Sequence, residues 1–296
     1  MKLIRHIQRC NKHNPHDYVP FVVDGELVGR FRHAFEKRLA DWPDVFDVSK
    51  CAVSLHEKLQ GYEPRSSAID AVLRELLACG EHLYLPYLLD EMYAVTANRR
   101  EEALFEIDRS ASALFGIRAF GQHLNGFVRK RDGMHMWLGQ RAADKGTFPG
   151  KLDHLVAGGL PVGISLERNL HKECREEAGI GDVLARLAIP VGAVSYNVDT
   201  EQGFKYDTLY CYDLELPHDF VPRCTDGEVD SFQLLPIEQV MRIVLETDDF
   251  KPNCNLVMID FLLRHGFIGP AHEEYLALMT GLHPAMRIPD HMAGEL

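Results

Sequence analysis

No apolar stretch in this chain approaches the ~20 residues that span a bilayer, so no membrane-crossing helix is expected. Positive charge is scarce. Lys and Arg number 32 against 44 Asp and Glu, and the formal charge of −12 argues against nonspecific binding to nucleic acid or an anionic membrane. A local basic pocket stays compatible with that balance. The seven cysteines, Cys10, Cys51, Cys79, Cys174, Cys211, Cys224 and Cys254, are odd in number and scattered, with no CxxC pair. Reduced thiols in a cytoplasmic protein are therefore expected, and no zinc site. No apolar segment follows the basic residues of Met1 to Tyr18, so a secretory signal is not expected. An organelle transit peptide stays open, but a hairpin starting near Phe21 leaves little room for one, and a mature start is the expectation. GxSxG and P-loop patterns are also missing.

What is present is ordinary in bulk. Apolar residues make up 46% and charged residues 26%, and 296 residues allow one large or two modest domains. Asp24-Gly25 between Phe21-Val22-Val23 and Leu27-Val28 predicts a hairpin. Helical spacing runs through 33–42, stopped by Pro43, through 55–59, and through 66–79, where Ile69, Leu73, Leu76 and Leu77 form the stripe and Gly80 the stop. Short strands are predicted at 46–48, 92–96 and 103–107. Residues 1–110 thus read as a small α+β lobe without a repeat, a low-complexity tract or a catalytic cluster.

A second unit, 111–296, opens on another hairpin, 124–131 and 134–141, around Asp132-Gly133, a pair suited to a type I′ turn. A polar loop, 142–153, comes next. Strands are predicted at 185–196, 206–215 and 229–235, and helices at 236–245 and 255–265. A mixed sheet with helices on both sides, an α/β/α sandwich, is the simplest packing for this order. A short helical piece at 273–279 precedes a Pro- and Gly-containing tail expected to be loosely held.

The informative stretch lies between the polar loop and the strand at 185. Gly158-Gly159-Leu160-Pro161-Val162-Gly163-Ile164 is a glycine-rich loop, Ser165 is a candidate N-cap, and Gly179 is placed to close the helix in a left-handed conformation. Leu166, Leu170, Cys174 and Ala178 form its apolar seam at about 100° per residue. Glu173, Glu176 and Glu177 fall on an adjoining arc, with Arg168, Lys172 and Arg175 turned away. Three acids beside a buried edge repel one another unless a cation sits among them, and hard divalent cations favour such oxygen ligands. The bland alternative is a solvated helix face with Lys172 and Glu176 as an i,i+4 pair.

Loop, acids and closing glycine together resemble the Nudix box, the loop-helix signature of hydrolases that split diphosphates linked to another moiety. Gly158, Glu173, Cys174, Glu176, Glu177, Gly179 and Ile180 match that pattern in register. Ile164 stands where its first Glu is expected, and Lys172 where its Arg is expected. Glu167 does not replace the missing acid, lying about 120° from the Glu173 direction on a regular helix. The resemblance implies a Nudix-type fold after the α+β lobe and Mg²⁺ or Mn²⁺ as cofactor. Glu173, Glu176 and Glu177 would then be metal ligands, and the backbone of Gly158 and Gly159 would approach metal or phosphate unobstructed. Glu176 and Glu177 are also candidate catalytic groups. Glu228, before the strand at 229, stays open between ligand, general base and solvated turn acid. Arg141, Lys145 and Lys151 are candidate substrate cations, although loop lysines more often face solvent. His154 and the tyrosines at 206, 210 and 212 read first as packing residues, and Cys174 as a buried small hydrophobe.

Further segments narrow the likeness. Trp137-Leu138-Gly139-Gln140-Arg141, Pro149-Gly150-Lys151-Leu152-Asp153, Val156-Ala157-Gly158-Gly159, Tyr212-Asp213-Leu214-Glu215-Leu216-Pro217, Asp226-Gly227-Glu228-Val229 and Lys251-Pro252-Asn253-Cys254 are similar to the Nudix proteins associated with fungal thiamine pyrophosphokinase. These carry an extra N-terminal domain, and Gly163-Ile164 and Lys172-Glu173 are usual among them. That branch implies hydrolysis of damaged or analogue thiamine-type diphosphates to the monophosphate plus phosphate. The alternatives are a noncatalytic diphosphate-binding or regulatory protein, or a hydrolase of nucleoside-diphosphate derivatives. An isoprenoid-diphosphate isomerase would need a Cys-plus-Glu pair placed for allylic proton chemistry, which the chain does not offer. The expected partner is a small-molecule diphosphate, with no nucleic acid and no membrane. A homodimer is left open.

Overall fold

A computed structural model describes residues 2–80 and 82–284. In the N-terminal α+β region, Tyr18–Val23 and Glu26–Arg32 form the predicted hairpin, with Asp24 and Gly25 both at positive φ (53° and 80°). Val53–Leu55 pairs parallel with the first of these strands, and Phe46–Val48 completes a four-stranded sheet. The helices His33–Leu39 and Tyr62–Ala78 cover it, around a core rich in phenylalanine that includes Phe21, Phe31, Phe35, Phe46, Phe105 and Phe115. A separate two-stranded ribbon, Met92–Val95 with Phe105–Asp108, carries the chain toward the second sheet.

Two local expectations fail here. The spacing at 55–59 makes no helix: Leu55 ends a strand paired with Phe46, and the His56 amide donates to the Val45 carbonyl at 2.9 Å. Sheet pairing overrides a pattern of so few residues. The long helix also starts earlier than Ser66, at Tyr62, because Pro64 sits in its first turn, where a missing N–H costs nothing.

The second sheet runs Ile189–Asp199, Phe204–Glu215, Arg118–Lys130, Gly133–Arg141, Val229–Pro236, with Val156–Gly159 on Arg118–Lys130 and Leu152–Asp153 on Gly133–Arg141. Phe204–Glu215 is parallel to Arg118–Lys130 and the other pairings are antiparallel, so the sheet is mixed, as predicted. Side chains alternate along the strands. Leu124, Val128, Tyr212 and Leu214 face the helix Leu166–Ala178, while Phe127, Leu209 and Cys211 face Ile237–Glu246 and Pro252–Arg264. Helices therefore pack on both faces. Ile7 and Cys10 of the first helix, Ile4–Cys10, and Leu3 at its N-cap share the core of the C-terminal helices, and the Leu3 amide donates to Glu274 Oε2 at 2.9 Å.

The turn at Lys130–Gly133 corrects a further detail. Lys130 pairs with Gly133, so Arg131 and Asp132 make the turn, neither at positive φ, and the geometry is not type I′. Strand Ile189–Asp199 starts later than predicted because Asp182–Ala185 forms a short helix. The tyrosines of Phe204–Glu215 pack as expected: Tyr206 joins Tyr18 and Phe204, Tyr210 stacks on Phe120 with ring centroids 6.1 Å apart, and Tyr212 lies in the core. The last helix among the described residues is Tyr275–Gly281, and residues 285–296 of the tail expected to be loose lie outside them.

Candidate active site

The loop-helix stretch forms for the local reasons its residues supply. Ser165 Oγ accepts from the Arg168 amide at 3.2 Å, capping Leu166–Ala178. Gly179, at φ 64° and ψ 23°, closes it, with the Ile180 amide bonded back to the Cys174 carbonyl at 2.9 Å. Leu170, Cys174 and Ala178 anchor the helix in the core, which sets Glu173 and Glu177 at the edge of the sheet. Asn169, fully buried, donates to Gly159 O at 2.9 Å and to Gln122 Oε1 at 2.8 Å, tying the glycine loop to helix and strand.

Gly158 is a glycine because Glu173 leaves no room for more. A Cβ there would lie 2.5 Å from Glu173 Cδ. Burial raises the Glu173 carboxyl, the Lys172 ammonium at 3.2 Å works against that rise, and Glu176 and Glu228 add to it. Lys172 also holds Glu176 at 3.3 Å. Glu177 is buried and its Oε2 accepts from the Ala157 amide at 2.7 Å. Burial pushes its carboxyl up to about 8; the amide opposes the shift, while the charges of Asp153, Glu173 and Glu228 reinforce it.

Glu228 and Glu177 line one narrow cleft with Arg141, Asp153, His154, Ala157 and Val229. Lys145 Nζ sits 2.5 Å from Glu228 Oε2. Arg141 borders this cleft, but its guanidinium is spent on Asp153 Oδ2 (3.0 Å) and the carbonyls of Thr147 and Phe148. Lys151 points elsewhere, donating to the Asp248 carbonyl at 2.8 Å.

Among the described residues, the group of potential ligands whose donor atoms lie within 4.8 Å of one another is a different one: His123, Asp153, His154 and Cys254, all buried. His123 and His154 meet Nδ1 to Nδ1 at 2.9 Å, and Cys254 Sγ donates to Asp153 Oδ1 at 2.8 Å. Imidazole nitrogens around tetrahedral zinc stand about 3.3 Å apart, given Zn–N bonds of about 2.0 Å. Asp153 is already met by Arg141 and by Lys251 at 3.4 Å. These are hydrogen-bond distances in a charge-compensated network supporting the floor of the site.

Three residues that no sequence pattern singles out stand against the glycine loop, all from the N-terminal region. A Cβ on Gly159 would collide with Tyr93 Oη and lie 3.6 Å from Arg109 Cζ. The Arg109 guanidinium lies 5.7 Å from the Tyr93 ring centroid and pairs with Glu91 at 2.7 Å. Arg100 donates to the carbonyls of Pro161 and Ile164.

A NUDIX domain profile matches residues 123–255, and a domain of unknown function (DUF4743) matches residues 2–119. Nudix hydrolase 20, chloroplastic, of Arabidopsis thaliana is 45% identical over 288 residues, covering 93% of this chain and 76% of the relative. Nudix hydrolase 24, chloroplastic, of the same plant is 45% identical over 280 residues with the same coverage. The chain belongs to the Nudix hydrolases. A crystal structure of the Deinococcus radiodurans protein DR0079 is similar over 56% of this chain and 95% of its own, with 22% identity and a TM-score of 0.40.

As a Nudix hydrolase the protein splits pyrophosphate linkages. The family generally uses divalent metals, and the donor set here fits one. Glu173, Glu176 and Glu177 offer hard carboxylate oxygens, and Glu177 is a buried acid whose ionised form gains one backbone amide and otherwise faces negative charge. The two departures of the Nudix box, Ile164 and Lys172, leave these acids in place. Lys172 faces Glu173 and Glu176, and the Ile164 carbonyl is taken by Arg100.

Proposed function

We propose that this Nudix hydrolase cleaves thiamine-type diphosphates, damaged or analogue forms first, to the monophosphate and phosphate. The observation that carries the metal-dependent part is the buried Glu177 carboxylate, one helical turn from Glu173, whose own carboxylate packs directly against Gly158. The thiamine-type substrate is supported by the branch-like segments around the box, including Gly163-Ile164 and Lys172-Glu173.

Glu173, Glu176 and Glu177, with the Gly158 carbonyl, would hold Mg²⁺ or Mn²⁺. When bound, such an ion polarises phosphoryl oxygens and lowers the pKa of bound water. Lys145, beside Glu228 at the cleft, offsets part of the diphosphate charge, whereas Gly159 is covered by Tyr93 and Arg141 is engaged by Asp153. Glu228 accepts the proton of the attacking water at Oε2, the atom that Lys145 holds. Water oxygen bonds to the terminal phosphorus, the bridging P–O bond breaks, and monophosphate and phosphate leave. A cytoplasmic setting, without nucleic-acid or membrane partners, is part of the same reading: the scattered, unpaired cysteines support the first and the charge of −12 the second.

Purified protein is assayed for phosphate release from oxo- and oxythiamine diphosphate, thiamine diphosphate and ADP-ribose, with Mg²⁺, Mn²⁺ or chelator. The expected result is metal-dependent release that is fastest on the altered thiamine compounds. A preference for ADP-ribose would reassign the substrate, and metal-independent or absent release on every compound would favour a binding protein.

A further inference from the structure

The glycine loop of a Nudix site has to hold its carbonyls still, since the loop backbone forms one wall of the metal and phosphate region. Here loop 160–164 is fixed from outside its own domain sequence. The Arg100 fork donates through Nη1 to Pro161 O at 2.9 Å and through Nη2 to Ile164 O at 2.6 Å. The Val162 amide donates to Met92 O at 2.8 Å, and Gly159 lies under Tyr93. Within the Nudix segment, the loop's ties are of two kinds: the sheet pairing of Gly158 and Gly159 with Gln122 and Gly121, extended by the Leu160 amide bond to Phe120 O at 3.0 Å, and the Asn169 bond to Gly159 O. Neither reaches 161–164, where Gly163 takes φ +79° and nothing lies within 4 Å of a Cβ built there.

We propose that Arg100 is a positioning residue for catalysis: it clamps the 161–164 turn, and through it the Gly158-Gly159 backbone and the start of the carboxylate helix. The inference rests on the reading of Glu173 and Glu177 as the metal site. A guanidinium suits the task because its planar fork can serve two carbonyls at once, where an ammonium on a flexible stem holds a single point. The N-terminal region is thereby part of the hydrolytic machinery although it supplies no ligand. Ile164 keeps a place in the box through its main chain, whatever its side chain.

The test compares full-length wild type with Arg100→Ala, Arg100→Lys, Arg99→Ala and Glu177→Gln. Readouts are Mn²⁺-dependent phosphate release, Mn²⁺ binding followed by the paramagnetic signal of the free ion, and amide exchange of 159–166 in metal-free protein. Arg100→Ala is expected to lower kcat by about ten- to a hundredfold, the scale of a small misplacement, with a smaller change in KM. It should also weaken Mn²⁺ binding and speed exchange at Val162, Gly163 and Ile164. Arg100→Lys should recover only part of each, and the exposed neighbour variant Arg99→Ala none of the losses. Should Arg100→Ala fail to fold, Arg100→Lys carries the same three readouts. Wild-type kcat, Mn²⁺ affinity and loop exchange in the folded Arg100 variants, beside an inactive Glu177→Gln, overturn the clamp alone. Full activity in Glu177→Gln overturns the site assignment beneath it.

Discussion

Ala157 and Glu177 are joined by a 2.7 Å hydrogen bond from backbone amide to carboxylate, and it is the only bond to Glu177 Oε2 among the described residues. A strand residue thus aims the last acid of the carboxylate helix, fixing it before any cation arrives. Glutamine preserves the shape and can still accept from that amide, so Glu177→Gln isolates the charge. Turnover should fall about a hundredfold or more, ~2.7 kcal/mol or more of barrier. Metal-free thermal stability should hold or rise, since a carboxyl pushed up to about 8 by burial is costly to ionise at neutral pH. Phosphate-release kinetics at limiting Mn²⁺ and a melting curve in chelator check both halves.

The glycine pair makes a steric prediction. Gly158→Ala puts a methyl 2.5 Å from Glu173 Cδ, so either the backbone or the acid must move. We expect a loss of about tenfold or more in kcat, as for other small misplacements of reacting groups. Gly146→Ala serves as the control, because a Cβ there meets nothing within 4 Å and its φ is unremarkable. Equal activity in the two variants would mean that Glu173 has room to relax without consequence.

Acid stability offers a prediction away from the site. Burial raises the Asp213 carboxyl, but hydrogen bonds from His265 and Arg264 and from Asn125 outweigh it and bring it down to about 2 from 3.8. A depressed carboxyl contributes stability that is fully present above the unfolded value. That contribution drains away as pH falls from about 4 toward 2, and at 1.36 kcal/mol per unit it is worth about 2 kcal/mol. Urea unfolding of wild type and Asp213→Asn across pH 2–7 should show a gap at neutral pH that closes below pH 3. A gap of constant size would show that the asparagine effect is packing and not charge.

Much of the fold is written in local chemistry. Asp24-Gly25 demands a primed turn, Ser165 and Gly179 bracket a helix, and alternation along 204–215 gives a strand covered on both faces. The acids of the box are legible for the same reason, since a helix fixes which side chains share an arc. The helical spacing at 55–59 misled because three residues of pairing with Phe46–Val48 decide that segment. Tyr93, Arg100 and Arg109 were illegible for a deeper cause. Nothing in their own neighbourhood marks them, and their meaning arises only when the ribbon Met92–Val95 lands on a loop some sixty residues away. Arg141 and Lys151 show the converse: loop cations near a box attract attention, yet the structure spends them on Asp153 and on the Asp248 carbonyl.

The bond between the Leu3 amide and Glu274 has a bearing on how the chain is made. The two residues are 271 positions apart, and Leu3, Ile7 and Cys10 find their apolar partners among the C-terminal helices. On a ribosome adding about 5–20 residues per second, that first segment waits roughly 15 to 55 seconds for its partners to emerge. Until then its buried face is open to any other apolar surface, and a holding chaperone that binds this nascent segment would be acting on an orphaned piece of the last core to close.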